Sequence, residues 1–563
     1  MSPQWNPNEP TFHLGINMAG AVSAGAYTAG VLDFLTEALE QWYAAKASAA
    51  SPVPQHNISI DIFSGASAGG MCAAISAVML QGPFQHIHNP ADATVQNTTN
   101  RFYESWVNKI DIEPLLGSAD LQGGGPVVSL LDSTIIDTIA EYALTPVAAP
   151  RIPPYVSASL NLILTLTNVR GVPFSLNGVA AGSAEEDIDY YADRLQFETV
   201  QGTNRPVFSP AKPLPLGSNA GDWPLLKEAA KATGAFPLFL APRTIVRKAG
   251  DYLNSPWNSV AAAPAPPITP HWPLHADDDF ATLNVDGGVT DNDPFQLAHD
   301  FLAVQNPLAA RDPLTGELHN PPAADKANCA VLTFAPFPAR DLFNKDYDFA
   351  ANSSIFGMLP NLFTVLISQS RFQGETLEAV MGNASFSRFV LAPSDFRHPN
   401  VPALQCGLLS AFGGFFERGF RAHDYQLGRR NCQKFLKDSF RLALTNPIID
   451  KGLGKLSAAD RAKVLEAFAP SQNTLPIVPL CGSAVPEVTA PPRATITAAR
   501  VSHIVNWVVD RLQGVAKPLL ESVIQSDFDA WAARSAVDTL ISTWGKAKIK
   551  DYLQEQLKDV IAG

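Results

Sequence analysis

The sequence predicts an α/β protein with a mostly parallel central sheet and a large helical carboxyl-terminal extension. Two apolar strand patterns, TFHLGINM at Thr11–Met18 and ISIDIF at 58–63, flank a helical pattern at 27–44. A small-residue turn, GASAGG at 65–70, then leads into a segment rich in Ala and Met. Strand, helix and strand in this order are typical of a parallel sheet with helices on its faces.

The rest of the chain continues this pattern and adds a helical half. We predict further strands at 157–169, 279–288, 327–336 and 387–393. Apolar residues at helical spacing predict helices over 353–381 and 412–442, and again after residue 494. The predicted organisation is a core over 1–340 with a Pro-rich insertion near 255–275, a helical or mixed extension over 341–473, a linker over 474–493 and amphipathic helices over 494–563.

The composition is that of a globular, acidic protein. Of the 563 residues, 46% are hydrophobic and 17% are charged, and 53 acidic against 40 basic residues give a net charge of -13. This excess of negative charge argues against a nucleic-acid partner, because phosphate backbones attract basic surfaces. It also provides no general attraction to anionic lipid, so any contact with a membrane surface has to be local and apolar.

The cysteines and the amino-terminal segment bear on metals and location. Five cysteines are scattered without a C-x-x-C pair, which argues against a disulfide framework and a zinc site. The first residues, MSPQWNPNEPTFHLG, lack the charged and apolar regions of a secretory signal, and no apolar run is long enough to span a membrane. We therefore expect a cytoplasmic location. Secretion by a route that needs no signal peptide is the alternative.

The GASAGG turn contains Gly-x-Ser-x-Gly, the spacing of a nucleophile elbow. Gly65 and Gly69 flank Ser67, a predicted strand precedes them and a helix follows, as the strained turn of an elbow requires. The start of that helix favours negative charge developing at the serine. A plain small-residue turn is the alternative, but the strand and helix on either side favour Ser67 as a catalytic nucleophile.

Two kinds of base could activate such a serine. A histidine triad is disfavoured, because only about one βα unit precedes Ser67 and no histidine lies in a distinctive late loop. Asp286 instead ends a predicted strand, and Gly287 and Gly288 after it let the backbone pass close to another loop. A carboxylate in a tight, partly dry site can accept a serine proton directly. Asp286 is therefore the candidate base, and an ordinary Asp-Gly-Gly turn is the alternative.

A third segment, AGAVSAG, follows the first strand and opens the first helix. Its consecutive backbone N–H groups at Gly20, Ala21 and Val22 are suited to binding an oxyanion. Val22 fits this role least well, because a β-branched residue resists a positive φ. An ordinary tight turn between strand and helix is the alternative.

Together these three segments resemble the patatin-like phospholipase family. In that family a glycine-rich oxyanion loop follows the first strand, Gly-x-Ser-x-Gly follows the second, and Asp-Gly-Gly/Ala comes much later. The same order occurs here, and 231–243, Asn292 and Pro294 also match neighbouring family segments, so the resemblance covers about 12–334. One departure is clear: where the family commonly has Gly-Gly-Gly-x-Arg-Gly, this chain has Gly-Ala-Val-Ser-Ala-Gly at 20–25 and lacks the arginine.

The resemblance implies a three-layer core and a serine hydrolase of lipid or phospholipid acyl esters that needs no metal or organic cofactor. Asp286 would accept the Ser67 proton, backbone N–H groups near Val22 would hold the oxyanion, and water would release a fatty acid from the acyl-enzyme. Two alternatives stay open. The altered loop suggests a catalytically impaired lipid-binding or scaffold protein, and in an acyltransferase an alcohol would replace water.

Other features have simpler interpretations. His86, His88 and Asp92 are expected in a solvated loop rather than at a metal. The acidic clusters HADDDF and DNDP lack the order of a calcium loop. The apolar run at 355–367 is expected in a core helix, with a lipid-facing lid as the alternative. A basic cluster is expected on a solvated helix face and consists of Arg429, Arg430, Lys434 and Lys437.

Overall fold

The structure is a computed structural model. It describes residues 5–6, 8–48, 52–176, 186–202, 204–207, 211–253, 269–314, 316–337, 386–398, 401–409, 411–469, 473–523 and 541–562, together with positions 349 and 537. The helix predicted over 353–381, the apolar run at 355–367 and most of the Pro-rich insertion lie outside the described residues.

One large sheet organises the described part of the chain. Its nine strands are β1 Thr11–Met18, β2 Asn57–Gly65, β3 Val156–Leu176, β4 Glu186–Val200, β5 Lys212–Pro215, β6 Arg243–Lys248, β7 Asp279–Asp286, β8 Cys329–Phe334 and β9 Arg388–Leu391. The order across the sheet is β9-β8-β1-β2-β3-β4-β5, while β7 pairs with β3 and β6 pairs with β7. Pairing is parallel from β9 to β3 and again between β4 and β5. The predicted α/β class with a mostly parallel sheet is thus confirmed.

The strands predicted from the sequence are all present, and β1 has the predicted bounds. β3 is longer than predicted, because it pairs antiparallel with both β4 and β7 beyond the end of β2. β4, β5 and β6 were not predicted. β4 has the sequence EDIDYYADRLQFETV, and its many charged residues obscure the usual apolar pattern of a strand. Pairing with β3 on one edge and β5 on the other stabilises it.

Helices cover both faces of this sheet. The longer ones are α1 Gly25–Ala47, α2 Ala68–Met79, α3 Thr134–Ala143, α4 Trp223–Thr233, α5 Phe295–Gln305, α6 Arg418–Asp438, α7 Pro447–Gly454, α8 Ala458–Phe468, α9 Ala498–Val523 and α10 Lys546–Leu557. The main core joins one face of β1 to α1, α2, α4 and α6. α5 packs on the other face, where Phe301 and Leu302 contact apolar residues of β2 and β8. This arrangement has three layers.

The carboxyl-terminal part packs closely on this core. Within the segment predicted as a linker, Leu475, Ile477 and Val478 are fully buried in the main core. The Gln433 amide of α6 also donates to the carbonyls of Ala484 at 2.9 Å and Pro486 at 2.7 Å. α9 and α10 contribute to a second apolar cluster with residues near 110–131. The division into domains stays a prediction, but 474–484 is structurally part of the core.

The predicted solvated basic face on α6 is wrong for Arg429. Its side chain is 1% exposed and forms ion pairs with Asp33 and, at 2.6 Å, with Glu37 of α1. His86, expected in a solvated loop, hydrogen-bonds Asp33 at 2.7 Å and Glu40 at 3.0 Å. Burial opposes the charge of His86, but these bonds raise its pKa to about 9. Both cations are held because α1 places its carboxylates on the face covered by α6.

Candidate active site

The sheet topology brings the two predicted catalytic segments together. Gly65, at the end of β2, pairs with Leu164 of β3, and Asp286, at the end of β7, pairs with Leu166. On its other edge Leu166 pairs with Asp193 of β4. β2 and β7 therefore occupy the same side of β3 and approach each other with their carboxyl ends, so the Ser67 turn and Asp286 face one another.

Ser67 lies in a strained turn between β2 and α2. Its backbone has φ 52° and ψ −128°, a region that non-glycine residues rarely adopt. The turn is tight, because a Cβ on Gly65 would lie only 2.6 Å from the carbonyl carbon of Gly69. The Ser67 N–H donates to the Thr233 hydroxyl of α4 at 2.9 Å. These features are those of a nucleophile elbow.

The side chains of Ser67 and Asp286 are in direct contact. The Ser67 hydroxyl donates to Asp286 Oδ2 at 2.6 Å, and the Gly288 N–H donates to Asp286 Oδ1 at 2.7 Å. Ser67 is 7% exposed and Asp286 is 3% exposed. The carboxylate is thus removed from bulk water and oriented on both oxygens.

Burial changes the acidity of Asp286. It raises the pKa of the carboxyl group to about 7, although the hydrogen bonds from Ser67 and Gly288 lower it in part. A carboxylate whose pKa lies near neutrality can take up a proton during a reaction and release it again. The arrangement is therefore suited to direct proton transfer between serine and aspartate.

The backbone around Asp286 is anchored by residues to which the sequence analysis assigned no role. The Asp286 N–H donates to the Ala235 carbonyl at 2.9 Å, and its own carbonyl accepts from the Thr167 hydroxyl at 2.9 Å. Thr167 is one of two threonines in β3, and Thr233 ends α4 within the family-like segment 231–243, but nothing in these patterns indicates a contact with the site. Their roles become visible only when the strands are placed side by side.

The turn after β1 lies beside Ser67, and its backbone N–H groups differ in whether they already have a hydrogen-bond acceptor. The Gly20 N–H already donates to the Asn292 carbonyl at 3.1 Å. The Ala21 and Val22 N–H groups have no hydrogen-bond acceptor among the described residues. Val22 adopts φ 47°, the conformation that a β-branched residue resists. Of the three predicted oxyanion donors, two therefore remain available.

An apolar cavity extends from the Ser67–Asp286 pair. It encloses about 910 Å³ of space between atoms, part of it open to solvent. Its wall includes Ile136, Ile139 and Ala140 of α3, together with Phe236 and Phe412. The sequence analysis did not predict α3, although Ile135, Ile136 and Ile139 at helical spacing are a usable signal. The cavity is suited to a hydrocarbon chain.

A second, more open chamber meets Ser67 and Asp286 from another side. It has about 2670 Å³ of space between atoms, including open solvent. Gly20, Ala21, Val22 and Asn292 line one part of it. α9 and α10 line another part through residues that include Arg511 and Tyr552. The carboxyl-terminal helices therefore form part of the site entrance.

Other kinds of site find no support within the described residues. All 11 histidines fall in the described ranges, and none lines either cavity. No group of three or more His, Cys, Asp or Glu residues there is arranged to hold a metal ion. None of the helices in the described ranges combines the length and apolar character needed to cross a bilayer.

Comparison with known proteins is consistent with this geometry. The family model described as patatin-like phospholipase matches residues 17–299, which include the turn after β1, the Ser67 elbow and Asp286. The uncharacterized protein y4iI of Sinorhizobium fredii (strain NBRC 101917 / NGR234) is 32% identical over 599 residues, covering 97% of this chain and 81% of that protein. The crystal structure of VipD from Legionella pneumophila covers 96% of this chain and 91% of its own, with 11% identity and a TM-score of 0.21, too low to support a conclusion.

Proposed function

We propose that this chain, which belongs to the patatin-like phospholipase family, hydrolyses fatty-acyl esters of lipids through Ser67 and Asp286. The observation that carries the proposal is the 2.6 Å hydrogen bond from the Ser67 hydroxyl to the buried Asp286 carboxylate. Both residues line an apolar cavity large enough for an acyl chain. A nucleophile, a base and an apolar binding site thus meet at one place.

In the proposed reaction, Asp286 accepts the Ser67 proton while the serine oxygen bonds to the ester carbonyl carbon. The N–H groups of Ala21 and Val22 stabilise the resulting oxyanion, and Gly20 shapes the turn that presents them. The tetrahedral intermediate collapses, the alcohol leaves with the proton from Asp286, and an acyl-serine ester remains. Asp286 then removes a proton from water, which attacks this ester, and returns that proton to the Ser67 oxygen as the fatty acid leaves.

The two cavities suggest where the two halves of the ester bind. We place the acyl chain in the apolar cavity beside α3, because its lining is almost entirely apolar. The alcohol part then faces the open chamber, from which it can leave to solvent. The carboxyl-terminal helices therefore contact the alcohol part rather than the acyl chain.

The direct test is turnover of p-nitrophenyl esters of graded chain length by the wild type, Ser67→Ala and Asp286→Asn, with fluorophosphonate labelling in parallel. Ser67→Ala should lose labelling and turnover, and Asp286→Asn should lose turnover by about 10³-fold or more. Ser105→Ala is a matched control, because Ser105 is buried and lines the same cavity. It should keep both labelling and turnover.

Absence of labelling and turnover in the wild type would instead favour a non-catalytic lipid-binding protein. The strained Val22 and the altered loop are the observations that keep this second candidate. An acyltransferase would label and turn over like a hydrolase. It is distinguished by adding an alcohol acceptor and measuring ester formation against fatty-acid release.

A further inference from the structure

We infer that the preferred substrates have an uncharged alcohol part, as acylglycerols do, and that phospholipids are poor substrates. This inference rests on the proposed function, because it concerns the ester that Ser67 attacks. It comes from the charges that line the two cavities. A site selective for phospholipids is expected to offer the phosphate a cation or free hydrogen-bond donors.

Arg511 of α9 is the buried cation of the open chamber, and all its donors are already used. It forms a bidentate ion pair with Asp120 at 2.6 and 2.7 Å. Its other three N–H groups donate to the carbonyls of Leu130, Gly117 and Ser129. A guanidinium has five N–H donors, so none is left for a phosphate. Arg511 therefore fixes α9 to the core and does not present a free anion site.

Lys231 of α4, the cation that lines the apolar cavity, is also neutralised. Its ammonium group lies 2.9 Å from Asp137 and 2.6 Å from Glu228. Lys548 lines the chamber from α10 but is exposed, where solvent screens its charge. Among the described residues, these are the cations that line the two cavities with Ser67. No buried cation there lacks a carboxylate partner.

The turn beside Ser67 adds no positive charge either. Ala24 stands where the related loop commonly has arginine, and it is fully buried in the apolar core. The proposed catalytic carboxylate adds a negative charge, which makes the chamber still less favourable for an anion. Asp286 must be ionised to accept the serine proton, and a phosphate entering the chamber would be repelled by that charge after losing water. An uncharged hydroxyl or glyceryl group avoids both the repulsion by Asp286 and the cost of removing water from a charged group.

The test compares lipids with identical acyl chains in mixed micelles with a non-ionic detergent. Dioctanoylglycerol, dioctanoyl phosphatidylcholine and dioctanoyl phosphatidylglycerol are hydrolysed by the wild type, and fatty-acid release gives kcat/KM for each. We expect dioctanoylglycerol to be favoured over both phospholipids by about 100-fold, since the phosphate lacks a partner. Equal rates, or a preference for either phospholipid, would overturn the inference.

Turnover of p-nitrophenyl octanoate in the same preparation distinguishes a failure of this inference from a failure of the proposed function. If this ester is cleaved but phospholipid is preferred, only the inference about charge fails. If neither p-nitrophenyl octanoate nor any lipid is cleaved, the proposed function fails and the inference falls with it.

Two variants test the electrostatic cause. Asp120→Asn leaves the Arg511 charge uncompensated, and Leu116→Lys adds a cation to the chamber wall. Each should raise the ratio of phosphatidylglycerol to dioctanoylglycerol hydrolysis at least threefold. Asp450→Asn is the control, because it removes the same charge from an exposed pair with Arg461 and should leave the ratio unchanged. An unchanged ratio in both chamber variants would contradict the proposal that the lack of a free cation disfavours phospholipids. If Asp120→Asn loosens α9, the result for Leu116→Lys alone tests this proposal.

Discussion

The Asn292 carbonyl accepts a hydrogen bond from the Gly20 N–H at 3.1 Å and ties the turn after β1 to the loop that follows Asp286. The Asn292 side chain lies in the gap between these segments: a Cβ on Gly20 would overlap its Oδ1 atom. The same Cβ would lie 3.1 Å from the Ser67 Cβ. The turn that contains Gly20, the proposed nucleophile Ser67 and the loop that follows Asp286 thus share one tightly packed contact.

We therefore predict that Gly20→Ala lowers kcat for p-nitrophenyl esters by about 10²-fold, because a small displacement of catalytic groups has effects of that size. Steady-state kinetics with a thermal melt separate this loss from unfolding. Gly82→Ala is the matched control, since a Cβ there meets nothing within 4 Å. Near-normal kcat in Gly20→Ala would show that the contact does not set the catalytic geometry.

The acidity of Asp286 predicts the pH dependence of activity. With a pKa of about 7, the carboxylate form that accepts the Ser67 proton is lost as pH falls. We expect kcat/KM to be constant above about pH 8 and to fall about tenfold per pH unit below 7. Burial also raises the pKa of neighbouring Asp291 to about 7, so Asp291→Asn is the control. If its profile loses the inflection, Asp291 and not Asp286 is the titrating group.

The same shift predicts how stability depends on pH. The ordinary pKa of 3.8 applies to Asp286 in the unfolded chain, so the folded state holds this proton more tightly. The contribution of Asp286 to the free energy of unfolding is largest below pH 3.8 and is lost as pH rises through 7. Asp286→Asn cannot ionise and should be more stable than the wild type at pH 8, on the order of a few kcal/mol, but not at pH 4. Urea unfolding at both pH values measures this, and equal stability at pH 8 would contradict it.

The apolar cavity predicts a steric test of chain length. Ala140 of α3 is buried and lines the cavity, so Ala140→Phe should fill the space for the distal part of a long chain. We expect kcat/KM for p-nitrophenyl decanoate to fall at least about tenfold, with p-nitrophenyl acetate nearly unaffected. Thr138→Phe places the same ring on the exposed face of α3 and should change neither rate. An equal loss for both esters in Ala140→Phe would argue against acyl binding there.

The buried ion pairs between α1 and α6 predict a large effect on stability. Arg429→Met leaves Asp33 and Glu37 without their main counter-charge in a dry core. The free energy of unfolding should fall by about 3–5 kcal/mol. Adding Asp33→Asn should recover part of this loss, because it removes one unpaired carboxylate. Urea titrations of the single and double variants measure both effects, and a double variant less stable than Arg429→Met would refute this explanation.

The parts of the protein that the sequence predicted well are those encoded by neighbouring residues. The β1 and β2 patterns, the Gly-x-Ser-x-Gly turn and the Asp-Gly-Gly segment each lie within about ten residues. Local rules of strand alternation and turn geometry suffice for such segments. From them the α/β class and the candidate pair Ser67 and Asp286 follow without knowledge of the tertiary structure.

Contacts between residues far apart in the sequence decided the features that local patterns did not predict. Only the antiparallel contact of β7 with β3 turns Asp286 toward Ser67, 219 residues earlier in the chain. Other long-range contacts occupy the Gly20 N–H and bury Arg429 against α1, and the local sequence pattern indicates neither of them. A residue's own neighbours fix its propensity, but its burial and hydrogen-bond partners depend on distant segments. The sequence by itself therefore determined which groups could carry the chemistry, and the tertiary structure decided which donors are free, which charges are neutralised and where a substrate can lie.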